Sequence, residues 1–160
     1  MEKKQIITEI EVYENVSEIP ENVQQLIQKA KEIRLNAYAP YSKFLVGAAI
    51  LLENGEVVTG SNQENASYPS GLCAERTAIY AAGANFPDQK ILQIAITAGP
   101  KDRANAIPVP PCGACRQAIA EYEQKQKQSI EVYFMGKTGK VCKVDSLLKL
   151  LPLAFNRDFL

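Results

Sequence analysis

Three cysteines and one glutamate carry the clearest chemical signal in this chain. Cys73 and Glu75 are two positions apart, and Cys112 and Cys115 form a Cys-x-x-Cys pair. Two thiols at that spacing at a helix start can bind the same metal ion, and Cys73 completes a set of three thiolates. Three protein ligands leave the fourth tetrahedral position of zinc open for water, as in catalytic zinc sites. We therefore expect one catalytic Zn²⁺ per chain.

Glu75 is the expected proton carrier of this site. It follows Cys73 too closely to be a comfortable further ligand, yet it is near enough to reach a water on the metal. A carboxylate in that place can take a proton from the water and pass it to a substrate nitrogen. Because the chain contains no histidine, a Ser-His-Asp triad and imidazole ligands are excluded.

Both cysteine motifs fall at predicted helix starts. The positive end of a helix dipole and its unpaired N–H groups stabilise thiolates, whose free pKa is about 8.5. Three thiolates carry more negative charge than Zn²⁺ neutralises, so a compensating cation is expected nearby. Arg76 and Arg116, which lie next to motif residues, are candidates for hydrogen bonds to the sulfurs.

The segments around these motifs alternate between helices and strands. Apolar periodicity, Gly and Pro positions and an Asn-Gly turn predict these elements. Four helices are predicted: one after Pro20, one over 74–84, one over 113–123, and one from an N-cap at Asp145 to Pro152. The predicted strands are 6–13, 46–52, 57–59, 91–98, 131–135 and 141–144. This order predicts an α/β fold, a three-layer α/β/α sandwich around a mixed five-stranded sheet, with 6–13 as an extra N-terminal edge strand.

The composition predicts a single domain over residues 1–160, with 1–20 as an N-terminal extension. The chain has 160 residues, 46% of them apolar, and 18 basic side chains balance 18 acidic ones. Because the charges balance, the chain has no excess positive charge to attract nucleic acid or an anionic membrane surface. No apolar run approaches the roughly 20 residues that a membrane span requires. Four cysteines without an export signal argue against disulfides. We expect a cytoplasmic protein that binds a small molecule.

Several segments of the chain also match a known pattern. They are Tyr38-Ala39-Pro40-Tyr41-Ser42-Lys43-Phe44, Val46-Gly47-Ala48-Ala49, Asn62-Gln63-Glu64-Asn65-Ala66-Ser67-Tyr68, Cys73-Ala74-Glu75-Arg76-Thr77-Ala78 and Pro111-Cys112-Gly113-Ala114-Cys115-Arg116-Gln117. Together they resemble the cytidine deaminases of the small homotetrameric type with three cysteine zinc ligands. The resemblance implies a cytidine deaminase-like fold and hydrolytic deamination of cytidine and deoxycytidine, with release of ammonia, in pyrimidine salvage.

The resemblance also implies roles around the metal. Glu75 moves protons to ring nitrogen N3 and to the departing amino group, as the zinc deaminases do. Arg76 hydrogen-bonds a thiolate ligand. The backbone at Ala74 reads the edge of the pyrimidine ring, and Phe44 packs against the ring.

Further roles concern the sugar and the assembly. Asn62 and Glu64 are two positions apart and project to the same side of an extended chain; the family uses matching positions to hold sugar hydroxyl groups. Phe155 matches an aromatic residue that reaches the pocket of a neighbouring subunit. The resemblance therefore implies a homotetramer with pockets shared between subunits and a nucleoside substrate.

Other interpretations of the same residues stay open. The substrate can be another cytosine-containing small molecule, such as a nucleoside antibiotic. A base in single-stranded nucleic acid is disfavoured because editing enzymes need a basic channel and stacking aromatics. A non-catalytic zinc module that binds a partner protein would use Cys142 as a fourth ligand. Phe44 and Phe155 can also be core residues, and Asn62, Glu64 and Arg76 ordinary solvated side chains.

Overall fold

The computed structural model describes all 160 residues, and its centre is one mixed sheet of six strands. In chain order the strands are β1 (Glu11–Tyr13), β2 (Phe44–Leu52), β3 (Val57–Ser61), β4 (Ile91–Pro100), β5 (Glu131–Met135) and β6 (Val141–Val144). Their spatial order is β1-β6-β5-β4-β2-β3. Only β4 and β5 pair in parallel, and all other neighbours are antiparallel.

Helices cover both faces of the sheet. The α-helices are α1 (Glu21–Arg34), α2 (Ala74–Asn85) and α3 (Gly113–Gln126). The apolar side of α1, including Val23 and Ile27, packs on Ala49 and Ala95. On the opposite face, α2 and α3 pack on alternate residues of the same strands, because successive side chains of a strand point to opposite faces. The prediction of a three-layer α/β/α sandwich is confirmed.

Close contact between β3 and α2 sets the height of α2 above the sheet. A Cβ atom at Gly60 would lie 2.6 Å from the Ala78 nitrogen and 2.7 Å from the Ala74 carbonyl oxygen. Only glycine leaves room for this approach. Since α2 begins beside Cys73 and contains Glu75, the β3 contact helps to position both residues.

The N-terminal strand is present at the sheet edge, as predicted, but it is shorter than expected. It covers Glu11–Tyr13 rather than residues 6–13, and it pairs antiparallel with β6. Lys143 on β6 lies 3.1 Å from Glu11, 3.5 Å from Glu131 and 2.9 Å from Asp145. The extension therefore completes the sheet as its sixth strand.

The prediction of a final α-helix from Asp145 to Pro152 was wrong. The segment contains a single 3-10 helix, Leu147–Leu150, and its N-cap is Ser146. The Asp145 carboxylate pairs with Lys143 and Lys149 instead of capping the helix. Buried Leu147 anchors this turn in the core that α2 and α3 cover. No helix of the protein combines the length and apolar character that a bilayer span requires.

Candidate active site

Two helix starts bring the three predicted ligands together. Cys73 is the N-cap of α2, Cys112 is the N-cap of α3, and Cys115 lies in the first turn of α3. The Sγ atoms of Cys73 and Cys112 are 3.8 Å apart, and those of Cys112 and Cys115 are 3.5 Å apart. Two sulfurs bound to a tetrahedral zinc ion at 2.3 Å are separated by about 3.8 Å. The three thiols therefore fit a single zinc ion per chain.

The electrostatics of the site favour a thiolate at Cys73. Its hydrogen bond with Cys115, assisted by Arg76, lowers the pKa of Cys73 to about 5. The same hydrogen bond and burial raise the pKa of Cys115. Since a metal binds thiolates and releases their protons, a lowered pKa at Cys73 favours the form that binds the ion.

The two arginines next to the motifs differ in what they contact. Arg76 Nη2 lies 3.9 Å from Cys73 Sγ, as expected for a cation that offsets thiolate charge. Arg116 does not reach a sulfur, in contrast to the expectation from its position. Its Nε donates to the Pro111 carbonyl at 2.8 Å and its Nη1 to the Leu150 carbonyl at 2.9 Å.

Glu75 lies beside the cysteine cluster in the wall of a cavity. Glu75 is only 5% exposed, and this burial raises the pKa of its carboxyl group. A raised pKa makes the protonated carboxyl easier to form than it is in water, which favours a group that must accept a proton and then donate it.

One cavity of about 990 Å³ joins the cysteine cluster to the loops around it. It contains most of the predicted site residues, namely Phe44, Asn62, Glu64, Cys73, Glu75, Arg76 and Cys112. Ala74 is fully buried and is not among the residues that line the cavity. The loop from Val109 to Pro110 and the residues Tyr68 and Leu72 also line the cavity. Sequence reasoning gave these residues no individual role, although Tyr68 lies in one of the matched segments and Val109 and Pro110 directly precede the ligand motif.

Asn62 and Glu64 line the same cavity as Cys73 and Cys112. Asn62 donates from Nδ2 to the Phe44 carbonyl at 2.9 Å and accepts from the Val46 N–H at 2.8 Å. Glu64 accepts from the Tyr41 N–H at 3.0 Å. The amide and the carboxylate each keep hydrogen-bonding capacity beyond these contacts. Both side chains therefore remain able to bind hydroxyl groups.

The Ser42 hydroxyl donates to the Glu64 carboxylate and holds the pKa of Glu64 below its usual range. This contact was not expected from the sequence, because the two residues are 22 positions apart. It keeps Glu64 ionised and attached to the loop that precedes β2.

Phe155 lies outside the cavity of its own chain. Its ring stacks on Phe159 with centroids 5.7 Å apart, and its carbonyl accepts a hydrogen bond from Gln117 at 2.8 Å. The residue is 59% exposed. It does not contribute to the pocket formed by its own Cys73 and Glu75.

Comparison with known proteins agrees with this fold and site. The model of the cytidine and deoxycytidylate deaminase zinc-binding region matches residues 20–130. A cytidine deaminase of Halalkalibacterium halodurans is 42% identical over 135 residues, which is 84% of this chain and 95% of that protein. One of Sporosarcina psychrophila is 40% identical over 86% of this chain and 93% of that protein.

A solved structure gives the same result at the level of the fold. The crystal structure of cytidine deaminase from Burkholderia pseudomallei is 39% identical, with a TM-score of 0.71 over 86% of this chain and all of that one (100%). A buried glutamate beside three clustered thiols on this α/β/α scaffold defines a zinc-dependent deaminase. The chain belongs to the cytidine and deoxycytidylate deaminase family.

Proposed function

We propose that this protein hydrolyses cytidine and deoxycytidine to uridine and deoxyuridine, with release of ammonia. The observation that carries the proposal is the position of buried Glu75 in the same cavity as the clustered cysteines. A zinc ion held by three thiolates supplies, when bound, a Lewis acid with an open position for water. We propose Cys73, Cys112 and Cys115 as its ligands.

Glu75 moves the protons of this reaction. It accepts a proton from the attacking water and delivers it to N3 of the pyrimidine, which makes C4 more electrophilic. The resulting hydroxide adds to C4. Glu75 then takes the remaining proton from the new C4 hydroxyl and passes it to the amino group, so that the C4–N bond breaks, ammonia leaves and the C4 carbonyl forms. Burial supports both steps because it raises the pKa of the Glu75 carboxyl.

The cavity walls bind the nucleoside. Phe44 packs against the pyrimidine ring, and the backbone at Ala74 binds its polar edge. Asn62 and Glu64 hydrogen-bond the sugar hydroxyls with the capacity that their backbone contacts leave free. The Glu64 carboxylate would repel a phosphate group, which favours a nucleoside over a nucleotide. Arg76 balances thiolate charge at Cys73.

A direct assay tests the reaction. Purified zinc-loaded protein is mixed with cytidine or deoxycytidine, and conversion to the uracil product is followed by ultraviolet absorbance and by ammonia release. We expect turnover that a zinc chelator abolishes and added zinc restores. Glu75→Gln, which keeps the size of the side chain, is the matched inactive control. Absence of turnover with both substrates in protein that contains zinc would contradict the proposal.

The alternatives have less support in the site. A closed structural zinc site would need Cys142, but Cys142 lies on β6 between Phe134 and Val12 and is not part of the thiol cluster. A cytosine-containing antibiotic as substrate is tested in the same assay, by comparing its kcat/KM with that of cytidine. A nucleic-acid substrate is tested with single-stranded oligonucleotides.

We also propose that the chain acts as one domain over residues 1–160 and assembles as a homotetramer with shared pockets. Support comes from the exposure of Phe155 (59%) and Phe159 (71%), because their stacked rings form an exposed apolar cluster of the kind that marks an interface. In the assembly, Phe155 enters the cavity of a neighbouring subunit. We propose a cytoplasmic location and a role in pyrimidine salvage.

Mixed assemblies test the shared pocket. Glu75→Gln protein supplies an intact Phe155, and Phe155→Ala protein supplies an intact Glu75. If pockets are shared, subunit exchange between the two variants restores turnover above that of either parent alone. Light scattering on the same samples measures the number of subunits. Failure of complementation in exchanged tetramers would contradict the shared pocket.

A further inference from the structure

Cys112 is the metal ligand that side-chain packing holds least. It is exposed, whereas Cys73 is half-buried and Cys115 is buried. Its side chain accepts no hydrogen bond from the N-terminal N–H groups of α3. A Cβ atom placed on the next residue, Gly113, would have no neighbouring atom within 4 Å, so nothing packs against the helix at this residue. The position of this sulfur therefore depends on the backbone that enters α3.

Arg116 holds the peptide groups on both sides of Cys112. The Arg116 backbone N–H donates to the Cys112 carbonyl at 2.9 Å. The Arg116 side chain donates from Nε to the Pro111 carbonyl at 2.8 Å. That carbonyl lies in the same planar peptide as the Cys112 nitrogen. The guanidinium thus fixes the peptide plane that precedes the Cα atom of the ligand.

The second hydrogen bond of the same guanidinium connects this loop to the C-terminal segment. Nη1 donates to the carbonyl of Leu150 at 2.9 Å, and Leu150 ends the 3-10 helix Leu147–Leu150. The start of that helix is held by the buried Glu123, which accepts from the Leu147 N–H at 2.8 Å. Because a guanidinium is a rigid planar fork, its two bonds restrain the Pro111 carbonyl against an anchored element.

We infer that Arg116 is a positioning residue of the zinc site, which holds Cys112 in ligating geometry through the Pro111–Cys112 peptide. It differs from Arg76, whose guanidinium faces a ligand sulfur at 3.9 Å. The inference rests on the proposed function only for the identity of the metal. Its readout is zinc retention, so failure of the deaminase assay in zinc-loaded protein would leave this test intact.

The experiment measures how fast zinc leaves the protein. Zinc-loaded parent, Arg116→Gln and Arg116→Lys proteins are mixed with excess 4-(2-pyridylazo)resorcinol, and the coloured zinc complex is followed over time. Loss of a hydrogen bond that orients a metal ligand typically costs 10–100-fold in metal affinity or activity, so we expect Arg116→Gln to release zinc roughly 10–100-fold faster. Arg116→Lys should be intermediate, because one ammonium cannot replace the planar fork.

Two controls separate positioning from general stability. Gln117→Ala removes a neighbouring hydrogen bond to the Phe155 carbonyl but none to Pro111, and it should release zinc at the parent rate. Ile27→Val, in the core on the opposite face of the sheet, should lower the thermal midpoint without accelerating zinc release. Parent-like release from folded Arg116→Gln would overturn the inference, and so would acceleration that follows thermal destabilisation equally in Arg116→Gln and Ile27→Val. If Arg116→Gln does not fold, parent-like release from Arg116→Lys decides against it.

Discussion

The Sγ atoms of Cys73 and Cys112 lie 3.8 Å apart, although 39 positions separate the two residues in the chain. Each residue is the N-cap of its own helix, and α2 and α3 contribute to the same core on one face of the sheet. The metal site is therefore formed by the packing of two helix starts. Substitutions that remove one of these three sulfurs should lower the zinc content of the protein, whereas substitution of a distant thiol should leave it unchanged.

Cys112→Ser and Cys142→Ser form a matched pair of variants, one inside the thiol cluster and one outside it. Cys112→Ser should lose most of its zinc and its turnover, because a serine hydroxyl stays protonated where a thiolate binds zinc. Cys142→Ser should keep about one zinc per chain, as expected of one four-coordinate site. Metal analysis after dialysis, with turnover on the same samples, makes the comparison. Equal zinc loss in both variants would show that the site includes Cys142.

Glu75→Gln should separate chemistry from metal binding. The amide cannot carry a proton between water and substrate, and general acid–base transfer contributes roughly 10²- to 10⁴-fold to rate. We expect kcat to fall by at least that range, with zinc content unchanged. The measurement is steady-state turnover of cytidine alongside metal analysis. Turnover close to the parent value would remove Glu75 from the mechanism.

Glu64→Gln should weaken recognition of the sugar. If the Glu64 carboxylate binds the 3′-hydroxyl, the parent enzyme should prefer cytidine to 3′-deoxycytidine, since a hydrogen bond to a charged group contributes about 1.5–3 kcal/mol. Most of that preference should vanish in Glu64→Gln. The ratio of kcat/KM for the two substrates measures it in each protein. An undiminished ratio in the variant would assign the sugar contact to another residue.

Much of this architecture was predictable because the determinants are local. The Asn54-Gly55 pair predicted the β2–β3 hairpin from two residues. Only Gly55, with φ of 86°, has a positive φ and Asn54 does not, so the hairpin is confirmed but the turn is not the type I′ turn that this pair favours. The Cys-x-x-Cys spacing at a helix start similarly predicted the pairing of Cys112 with Cys115. These features depend on residues that are close in the chain.

The features that sequence reasoning missed depend on distant partners. The hydrogen bonds of Arg116 join Pro111 to Leu150, and the two contacts lie 5 and 34 positions away. Glu123 is buried because the N–H groups of Ile130 and Leu147 donate to it, and nothing in a helical pattern predicts that. Asp145 is a different case, because its partners Lys143 and Lys149 are close in the chain, and the residue pattern does not show that these ion pairs replace helix capping.

Gly60→Ala should disturb the site through packing alone. The added Cβ would lie 2.6 Å from the Ala78 nitrogen and 2.7 Å from the Ala74 carbonyl, so α2 must move away from β3. Overpacking of this kind typically costs about 1–3 kcal/mol in the free energy of unfolding, and turnover should fall as Glu75 shifts. Gly113→Ala is the control because its Cβ would meet no atom within 4 Å. Urea unfolding compares the two, and equal stability would refute the packing argument.

The final prediction concerns the lysine that holds the N-terminal strand. Lys143 pairs with Glu11, Glu131 and Asp145 and is 15% exposed, whereas Lys140 pairs only with Glu14 and is 52% exposed. Exposed single pairs contribute about 0–1 kcal/mol. Lys143→Met should therefore lower the urea midpoint at neutral pH more than Lys140→Met does.

The effect of Lys143→Met should depend on pH in a defined direction. Lys149 and Lys143 lower the pKa of Asp145 to about 2, and Tyr13 and Lys143 lower the pKa of Glu11. A carboxyl whose pKa is depressed by folding stabilises the protein above its unfolded pKa, about 3.9 for Asp, and loses that contribution as pH falls through the folded value. The difference between parent and variant should thus shrink from about pH 4 toward pH 2. A difference that stays constant over this range would instead reflect packing of the lysine's aliphatic stem.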